Sequence, residues 1–243
     1  MVTTTGVVYG FGSQAATYGN APANSGIVSI ANTNDNRGYW LAASDGRVFN
    51  KGNAQHFGDP SNLRLNGPIV SMSVTPSGKG YYLLGSDGGV FTYGDAQFYG
   101  STGGMVLNKP ALSITPTNNN DGYWFVAADG GVFTFGNAPF HGSTGDRILN
   151  QPVVGMAVNP KRDGYWLVAR DGGIFTFGRD IGYYGSMGGE TLNAPIADMS
   201  ATASGDGYRL VSTDGGVFNF GNAAFAGSLA TETISSPVRD ITS

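Results

Sequence analysis

Cysteine is absent from this chain of 243 residues, so disulfide bonds, thiol nucleophiles and cysteine-ligated zinc are excluded. Charge is scarce as well: 12% of the residues are charged, and the 13 lysines and arginines form no cluster. We therefore expect no nucleic-acid partner, because phosphate binding needs a basic stripe. No run of 18 apolar residues occurs, so no membrane span is predicted.

Glycine is abundant, with 40 residues, and much of it belongs to a repeated phrase. The phrase is "DGGVFTFG" at 129–136, and it returns as "DGGVFTYG" at 87, "DGGIFTFG" at 171, "DGGVFNFG" at 214 and "DGRVFNKG" at 45. A sixth, weaker copy is "TTTGVVYGFG" near the start of the chain. The copies lie about 42 residues apart, a period typical of solenoids, propellers and other arrays.

Each repeat reads as four short strands. In the copy at 111–143 these are "ALSIT", "GYWFVA", "GGVFTFG" and "APFHGS", separated by turn residues, and no stretch has a helical period. Asp129-Gly130 predicts a hairpin of type I′, in which both central residues have positive φ. A four-stranded unit repeated at this period predicts a β-propeller.

The strand order and the number of blades follow from the copies. Runs of small residues such as "VVGMAV" are predicted to form the innermost strand, because the axis of a propeller is crowded. The strands "GYWLVA", "GGIFTFG" and "IGYYGS" then follow from the inside outwards. The inner run occurs six times, and the last copy, "SPVRDITS" at 236–243, complements "MVTTT" at the start. We therefore predict a single domain over residues 1–243: an all-β, six-bladed, monomeric propeller of 24 strands, closed by its two termini in one blade.

The phrase "DGYWLVARDGGIFTFG", followed by "YYGSMGG" and "LNAP", resembles a repeat of exported actinobacterial proteins that accompanies cell-wall and other hydrolases. The resemblance covers nearly the whole chain and implies a propeller, placed outside the cell or at its surface. "SDGGVF" is similar to an Asp-box hairpin but lacks its following Thr-Trp. Lectins of the tachylectin type share the architecture. Because Met1 lies directly in repeat sequence, we expect the chain to be trimmed from a longer exported protein.

Catalysis is not expected. The only histidines are His56 and His141, and His141 stands where other copies carry Tyr99 and Tyr184. No Ser-His-Asp set and no close pair of carboxylates stands apart from the repeat. "NTNDNRG" at 32–38 lacks the spacing of an EF-hand, so neither a metal nor a cofactor is predicted.

We expect instead a multivalent, lectin-like module that binds a glycan or polysaccharide. Its candidate sites combine an aromatic ring, the hydroxyls that follow it and the aspartate of the Asp-Gly turn. They are Tyr99, Ser101, Thr102 and Asp87; His141, Ser143, Thr144 and Asp129; and Tyr184, Ser186 and Asp171. Asp-Gly is also ordinary turn chemistry, and most aromatic rings of a propeller are core. A scaffold or adhesive surface for proteins is the alternative function.

Overall fold

The structure is a computed structural model that describes residues 1–12, 16–161 and 163–242; Ser243, the last residue of the predicted closing strand, lies outside these ranges. The described residues form 17 β-strands, numbered in chain order, and no helix. The inner strands of the repeat are β2 (Ile27–Asn32), β5 (Ile69–Val74), β8 (Ala111–Pro116), β11 (Val153–Val158), β14 (Ile196–Ala201) and β17 (Val238–Asp240). The middle strands are β1 (Val2–Thr3), β3 (Gly38–Ala43), β6 (Gly80–Gly85), β9 (Gly122–Ala127), β12 (Gly164–Ala169) and β15 (Gly207–Ser212). The third strands are β4 (Val48–Gly52), β7 (Val90–Gly94), β10 (Val132–Gly136), β13 (Ile174–Gly178) and β16 (Val217–Gly221).

These strands pair into six antiparallel sheets. Sheets 1 to 5, numbered along the chain from β2–β3–β4 to β14–β15–β16, have three strands each. Sheet 6 consists of β17 and β1, and Val2 also bridges to Val8. In sheets 1 to 5 the pairing shifts after the first residue of the inner strand, as at Val153 and Gly155, so the same bulge recurs around the molecule.

The sheets stand around a central cavity of about 400 Å³ that is lined by the inner strands. Each inner strand contacts the next in sheet order, and β17 contacts both β14 and β2. This is a closed, propeller-like ring. Val2 pairs with Asp240 and Thr3 with Val238, which confirms that the two ends of the chain share one sheet.

The predicted fourth strand of each blade is wrong. The segment 137–143, for example, contains no strand, and the described residues hold 17 strands where the sequence predicted 24. The reason lies in its bonding: the N–H of His141 donates to the hydroxyl of Tyr165 in the next sheet at 3.2 Å, not to β10. Gly142, at φ 127°, then turns the chain away from an extended path. Each such segment, here called an outer segment, fills the seam between its own sheet and the next.

The hairpin turns also differ from the prediction. Gly130 has φ 78°, but Asp129 does not have positive φ, so the turn is not type I′. The N–H of Gly130 donates to Ala127 O at 2.8 Å, and the N–H of Ala127 donates to Gly131 O at 2.9 Å. This is a three-residue loop that ends in a left-handed glycine, the next most common hairpin connection. Relative to a two-residue turn over Asp129 and Gly130, the added loop residue is Ala128, and Gly131 closes the loop opposite Ala127.

Candidate functional site

The predicted aspartates serve the hairpin turns. The Oδ1 atoms of Asp87, Asp129 and Asp171 each accept the N–H of the residue two positions later, at 3.1, 3.0 and 3.0 Å. All three side chains are half-buried. One carboxylate oxygen of each is therefore occupied by its own loop, as in an Asx turn, and the other oxygen lies at the end of the sheet where the hairpin turns are.

The predicted threonines lie against these turns. Thr102 and Thr144 are buried, and their N–H groups donate to Gly88 O and Gly130 O, both at 3.1 Å. The hydroxyl of Thr102 has no hydrogen-bond partner among the described residues. Ser101 and Ser143 each accept the N–H of the glycine two residues on at 3.4 Å, and Ser186, at the same place in its repeat, is half-buried. The hydroxyls and the Asp-Gly turns thus share one end of each sheet.

The predicted aromatic side chains reach the opposite end. The hydroxyl of Tyr99 donates to Asn120 O at 2.7 Å, and Asn120 precedes β9 whereas the Asp-Gly turn follows it. His141 Nε2 lies 2.9 Å from Asp163 Oδ1, and the hydroxyl of Tyr184 donates to Gly205 O at 3.3 Å. All three rings are half-buried in the seams. The structure therefore does not bring these rings to the carboxylates of Asp87, Asp129 and Asp171.

Each of these three rings packs against a tyrosine of the next middle strand, and this tyrosine recurs in the repeat. Its hydroxyl accepts one outer-segment N–H at 3.0–3.2 Å and donates to the following carbonyl at 2.5–2.7 Å. We call this pair of hydrogen bonds the tyrosine clamp. It occurs in five seams: Tyr39 with Tyr18 N and Gly19 O, Tyr81 with Phe57 N and Gly58 O, Tyr123 with Tyr99 N and Gly100 O, Tyr165 with His141 N and Gly142 O, and Tyr208 with Tyr184 N and Gly185 O. Burial raises the pKa of Tyr81 to about 12, so its phenol stays protonated at neutral pH.

We expect Tyr165→Phe to lower the free energy of unfolding by about 1–3 kcal/mol, because the N–H of His141 and the carbonyl of Gly142, which are partly buried in the seam, lose their partner. Tyr183→Phe removes the same hydroxyl from a side chain that is 60% exposed, and should change the free energy by less than about 0.5 kcal/mol. Urea denaturation of both variants measures the difference. Equal effects would show that the clamp does not stabilise the seam.

A row of exposed aromatic residues was missed by the sequence analysis. Phe98, Phe140, Tyr183 and Phe225 are 59–66% exposed and hold one position in four outer segments. Each follows, by three residues, an exposed carboxylate or amide: Asp95, Asn137, Asp180 and Asn222. The sequence does carry a signal for this row. In an extended chain successive side chains point to opposite sides, so the residue before a ring that packs into the seam must point outwards.

A second exposed surface lies on the loops between sheets. Leu63, Met105, Val106 and Ile148 belong to three successive connections, and the last two are fully exposed. Equivalent positions in later repeats carry Glu190, Thr191, Glu232 and Thr233. The apolar character is thus confined to one side of the ring.

One carboxylate pair, not expected from the sequence, links sheets 5 and 6. Asp198 and Asp240 hold the same position in β14 and β17, and burial, together with the neighbouring Asp240, raises the pKa of Asp198 well above its usual range. Asp240 Oδ2 accepts the hydroxyl of Ser29 at 2.6 Å and the N–H of Ile30 at 2.9 Å. The pair accepts hydrogen bonds from backbone N–H groups on both sides and thereby stabilises the ring where it closes.

No group of three or more side chains of the metal-ligating kind occurs in the described part of the chain. His56 Nε2 lies 3.4 Å from Asp59 Oδ2 and His141 Nε2 lies 2.9 Å from Asp163 Oδ1, and neither pair belongs to a larger group of this kind among the described residues. Residues 1–12, 16–161 and 163–242 also include no helix that could cross a membrane.

No protein-family model and no curated protein matches the sequence. Solved structures do match. One is a structural genomics protein of unknown function from Bacteroides thetaiotaomicron, with a TM-score of 0.53 and 12% sequence identity. The match covers 79% of this chain and 58% of that protein, so the chain spans less than two thirds of its length. At this identity the likeness concerns the fold alone.

Proposed function

We propose that the protein is a non-catalytic, multivalent glycan-binding module that acts outside the cell or at its surface as a monomer. The observation that carries the proposal is the fourfold repeat of an exposed aromatic ring three residues after an exposed carboxylate or amide. The apolar face of a sugar ring stacks on an aromatic side chain, and its hydroxyls bind carboxylate or amide oxygens. The proposed rings are Phe98, Phe140, Tyr183 and Phe225.

Repetition matters because each position alone is open to solvent. A single shallow site is expected to bind with a dissociation constant on the order of 1 mM, or about 4 kcal/mol. Several sites on one rigid ring raise the avidity for a polymer by roughly 10² without any new contact. A polysaccharide, such as a cell-wall or environmental glycan, is therefore a better ligand for this surface than a free monosaccharide.

The test is a pull-down on insoluble glycans, including peptidoglycan and chitin. We expect the wild-type protein to bind one of them, and a variant with alanine at Phe98, Phe140, Tyr183 and Phe225 to lose at least about tenfold in affinity. A Tyr99/Tyr184→Ala variant, measured in the same way, tests the seam residues that were predicted from the sequence. A loss confined to this second variant, in folded protein, would move the site to the seams, and binding that survives in both would contradict both locations.

The apolar loops favour a protein-binding scaffold as the second candidate function. Leu63, Met105, Val106 and Ile148 are exposed in three successive connections, whereas the next two connections carry glutamate and threonine at the equivalent positions. Exposed apolar patches commonly mark interaction surfaces. A variant with serine at these four positions changes as many exposed apolar side chains as the aromatic variant does. Failure of the wild type to bind any glycan, together with capture of a defined protein that the serine variant does not retain, would favour the scaffold.

A further inference from the structure

Two columns of the repeat lie around the central cavity, namely the second and third residues of each inner strand. In one half of the ring, β2, β5 and β8 carry an aliphatic residue followed by serine: Val28-Ser29, Val70-Ser71 and Leu112-Ser113. In the other half, β11, β14 and β17 carry Val154-Gly155, Ala197-Asp198 and Arg239-Asp240. The wall of the cavity is therefore aliphatic and hydroxyl-bearing on one side and ionisable on the other.

The residues that depart from the repeat also leave room beside the two carboxyl groups. A Cβ atom on Gly155 would lie 2.5 Å from Asp198 Oδ1, so the serine of the other half would not fit there unless Asp198 moved. Ala197 is smaller than the valine or leucine of the four preceding inner strands. Asp198 and Asp240 are half-buried and line the cavity. A requirement of the fold alone would be met alike in every repeat, so these neighbouring departures indicate a ligand on this side of the cavity.

The carboxyl pair carries a single negative charge. Asp198 and Asp240 hydrogen-bond to each other, which requires a proton on one of them, and burial, together with the charge of Asp240, raises the pKa of Asp198 well above its usual range. No lysine or arginine of the described chain forms an ion pair with either group. The ammonium of Met1 interacts electrostatically with Asp240, but its hydrogen bond goes to Tyr9 O at 3.0 Å. The pair therefore suits one ammonium group that arrives with a ligand.

A cation belongs to the same lining. Arg239 is half-buried, and it stands where the first four inner strands have valine or leucine. It forms no ion pair with an acidic residue in the described ranges. Guanidinium groups bind carboxylates through two parallel hydrogen bonds. The cavity thus combines an anionic pair with a separate cation, and its volume of about 400 Å³ is within the range of small-ligand sites.

We propose that the central cavity binds a small zwitterion, such as a free α-amino acid, with its ammonium on the carboxyl pair of Asp198 and Asp240 and its carboxylate on Arg239. A metal ion fits the pair less well, because no group of three or more metal-ligating side chains occurs among the described residues. The site is independent of the glycan proposal, because it uses none of the exposed aromatic row. The variant with alanine at Phe98, Phe140, Tyr183 and Phe225 should therefore retain it.

Isothermal titration of the 243-residue protein with three probes of similar size tests the site. Alanine, as either enantiomer, carries both charged groups, ethylamine lacks the carboxylate and propionate lacks the ammonium. We expect one enantiomer of alanine to bind at least about tenfold more tightly than ethylamine or propionate, because each of these leaves one charged part of the cavity without a partner. Calcium chloride, titrated in the same way, tests the metal as an occupant.

Two variants that restore residues of the repeat locate the binding. Asp198→Ser introduces the residue of Ser29 and Ser71, and Arg239→Val introduces that of Val28 and Val70, so both should fold, as their melting temperatures would show. Each should weaken the binding of alanine at least about tenfold, and Arg239→Val should also remove the preference for alanine over ethylamine. Ser113→Ala changes β8, which lies opposite β17 in the ring, and should alter the affinity by less than about twofold.

Several results would overturn the proposal. They are no binding of either alanine, equal binding of alanine and ethylamine by the wild-type protein, and binding of calcium without binding of alanine. Tight binding of alanine that survives in both folded variants would place the amino-acid site elsewhere and would equally contradict the proposal. Loss of alanine binding in both variants, with retention in Ser113→Ala, would support it.

Discussion

Deletion of residues 236–243 is expected to lower the melting temperature by about 15 °C or more, which corresponds to a loss of roughly 5 kcal/mol in a chain of this size. The deleted segment contains β17, which is the one strand paired with β1 among the described residues. Val238 is buried, its N–H donates to Thr213 O at 2.9 Å, and the N–H of Thr4 donates to Pro237 O at 2.9 Å. Removal of β17 breaks these contacts together.

The deletion also opens the ring. Without β17, the inner strands β14 and β2 lose the strand that lies between them, and Ser29 and Ile30 lose the carboxylate of Asp240. An exposed strand edge promotes association between copies, so the truncated protein should aggregate on heating. Differential scanning calorimetry and size-exclusion chromatography measure the two effects.

Two single variants in the same strand separate the contribution of the Asp240 hydrogen bonds from the effect of removing the whole strand. Asp240→Ala removes the acceptor for Ser29 and Ile30 and should account for about 1–3 kcal/mol of the effect. Arg239→Ala changes a half-buried residue of the same strand, between the two residues that pair with β1, and should cost less. A melting temperature of the truncated chain equal to that of the full chain would contradict the role of the two ends in closing the ring.

Much of this architecture could be predicted, because the strand runs and the turn residues recur at fixed positions of the repeat. The inner and middle runs are short, largely apolar and bounded by turn residues, as strands are, and the pairing of "MVTTT" with the last repeat follows from counting the copies. The outer segment was not predictable in the same way. Its N–H groups bind a tyrosine hydroxyl of the next sheet, and a run such as "APFHGS" does not indicate whether its partner is a strand or a side chain.

The candidate site was harder to predict for a related reason. Tyr99 and Phe98 are adjacent aromatic residues, and only the seam decides that the first is packed and the second exposed. The carboxylate pair, by contrast, left a readable signal. Asp198 and Asp240 occupy one column of the repeat in successive inner strands, and neighbouring strands of a closed ring bring one column together.

We expect Gly130→Val to lower the free energy of unfolding by about 3 kcal/mol or more, and the melting temperature by about 10 °C. Gly130 has φ 78°, a conformation that costs a residue with a side chain about 1–2 kcal/mol and a β-branched residue more. Its Cβ would also lie 1.8 Å from the hydroxyl oxygen of Thr144, which is buried. Thermal and urea denaturation measure the loss.

Neighbouring residues of the same turn provide the controls. Gly131 does not have positive φ, and the atom nearest to a Cβ there would be Asp129 Oδ1 at 3.1 Å, so Gly131→Ala should cost less than Gly130→Ala. Asp129→Asn should change the free energy by less than about 0.5 kcal/mol, because the amide oxygen can still accept the N–H of Gly131. Equal losses for Gly130→Ala and Gly131→Ala would contradict the assignment of the left-handed position.

A double-mutant cycle then separates strain from overlap at Gly130. In a Thr144→Ala background the hydroxyl oxygen that lies 1.8 Å from the new Cβ is gone, while φ of residue 130 is unchanged. The cost of Gly130→Ala should therefore fall towards the strain alone, about 1–2 kcal/mol. A cost that stays the same in both backgrounds would show that the loop and the outer segment move apart to relieve the contact, and that backbone strain alone makes glycine necessary in the repeated Asp-Gly turn.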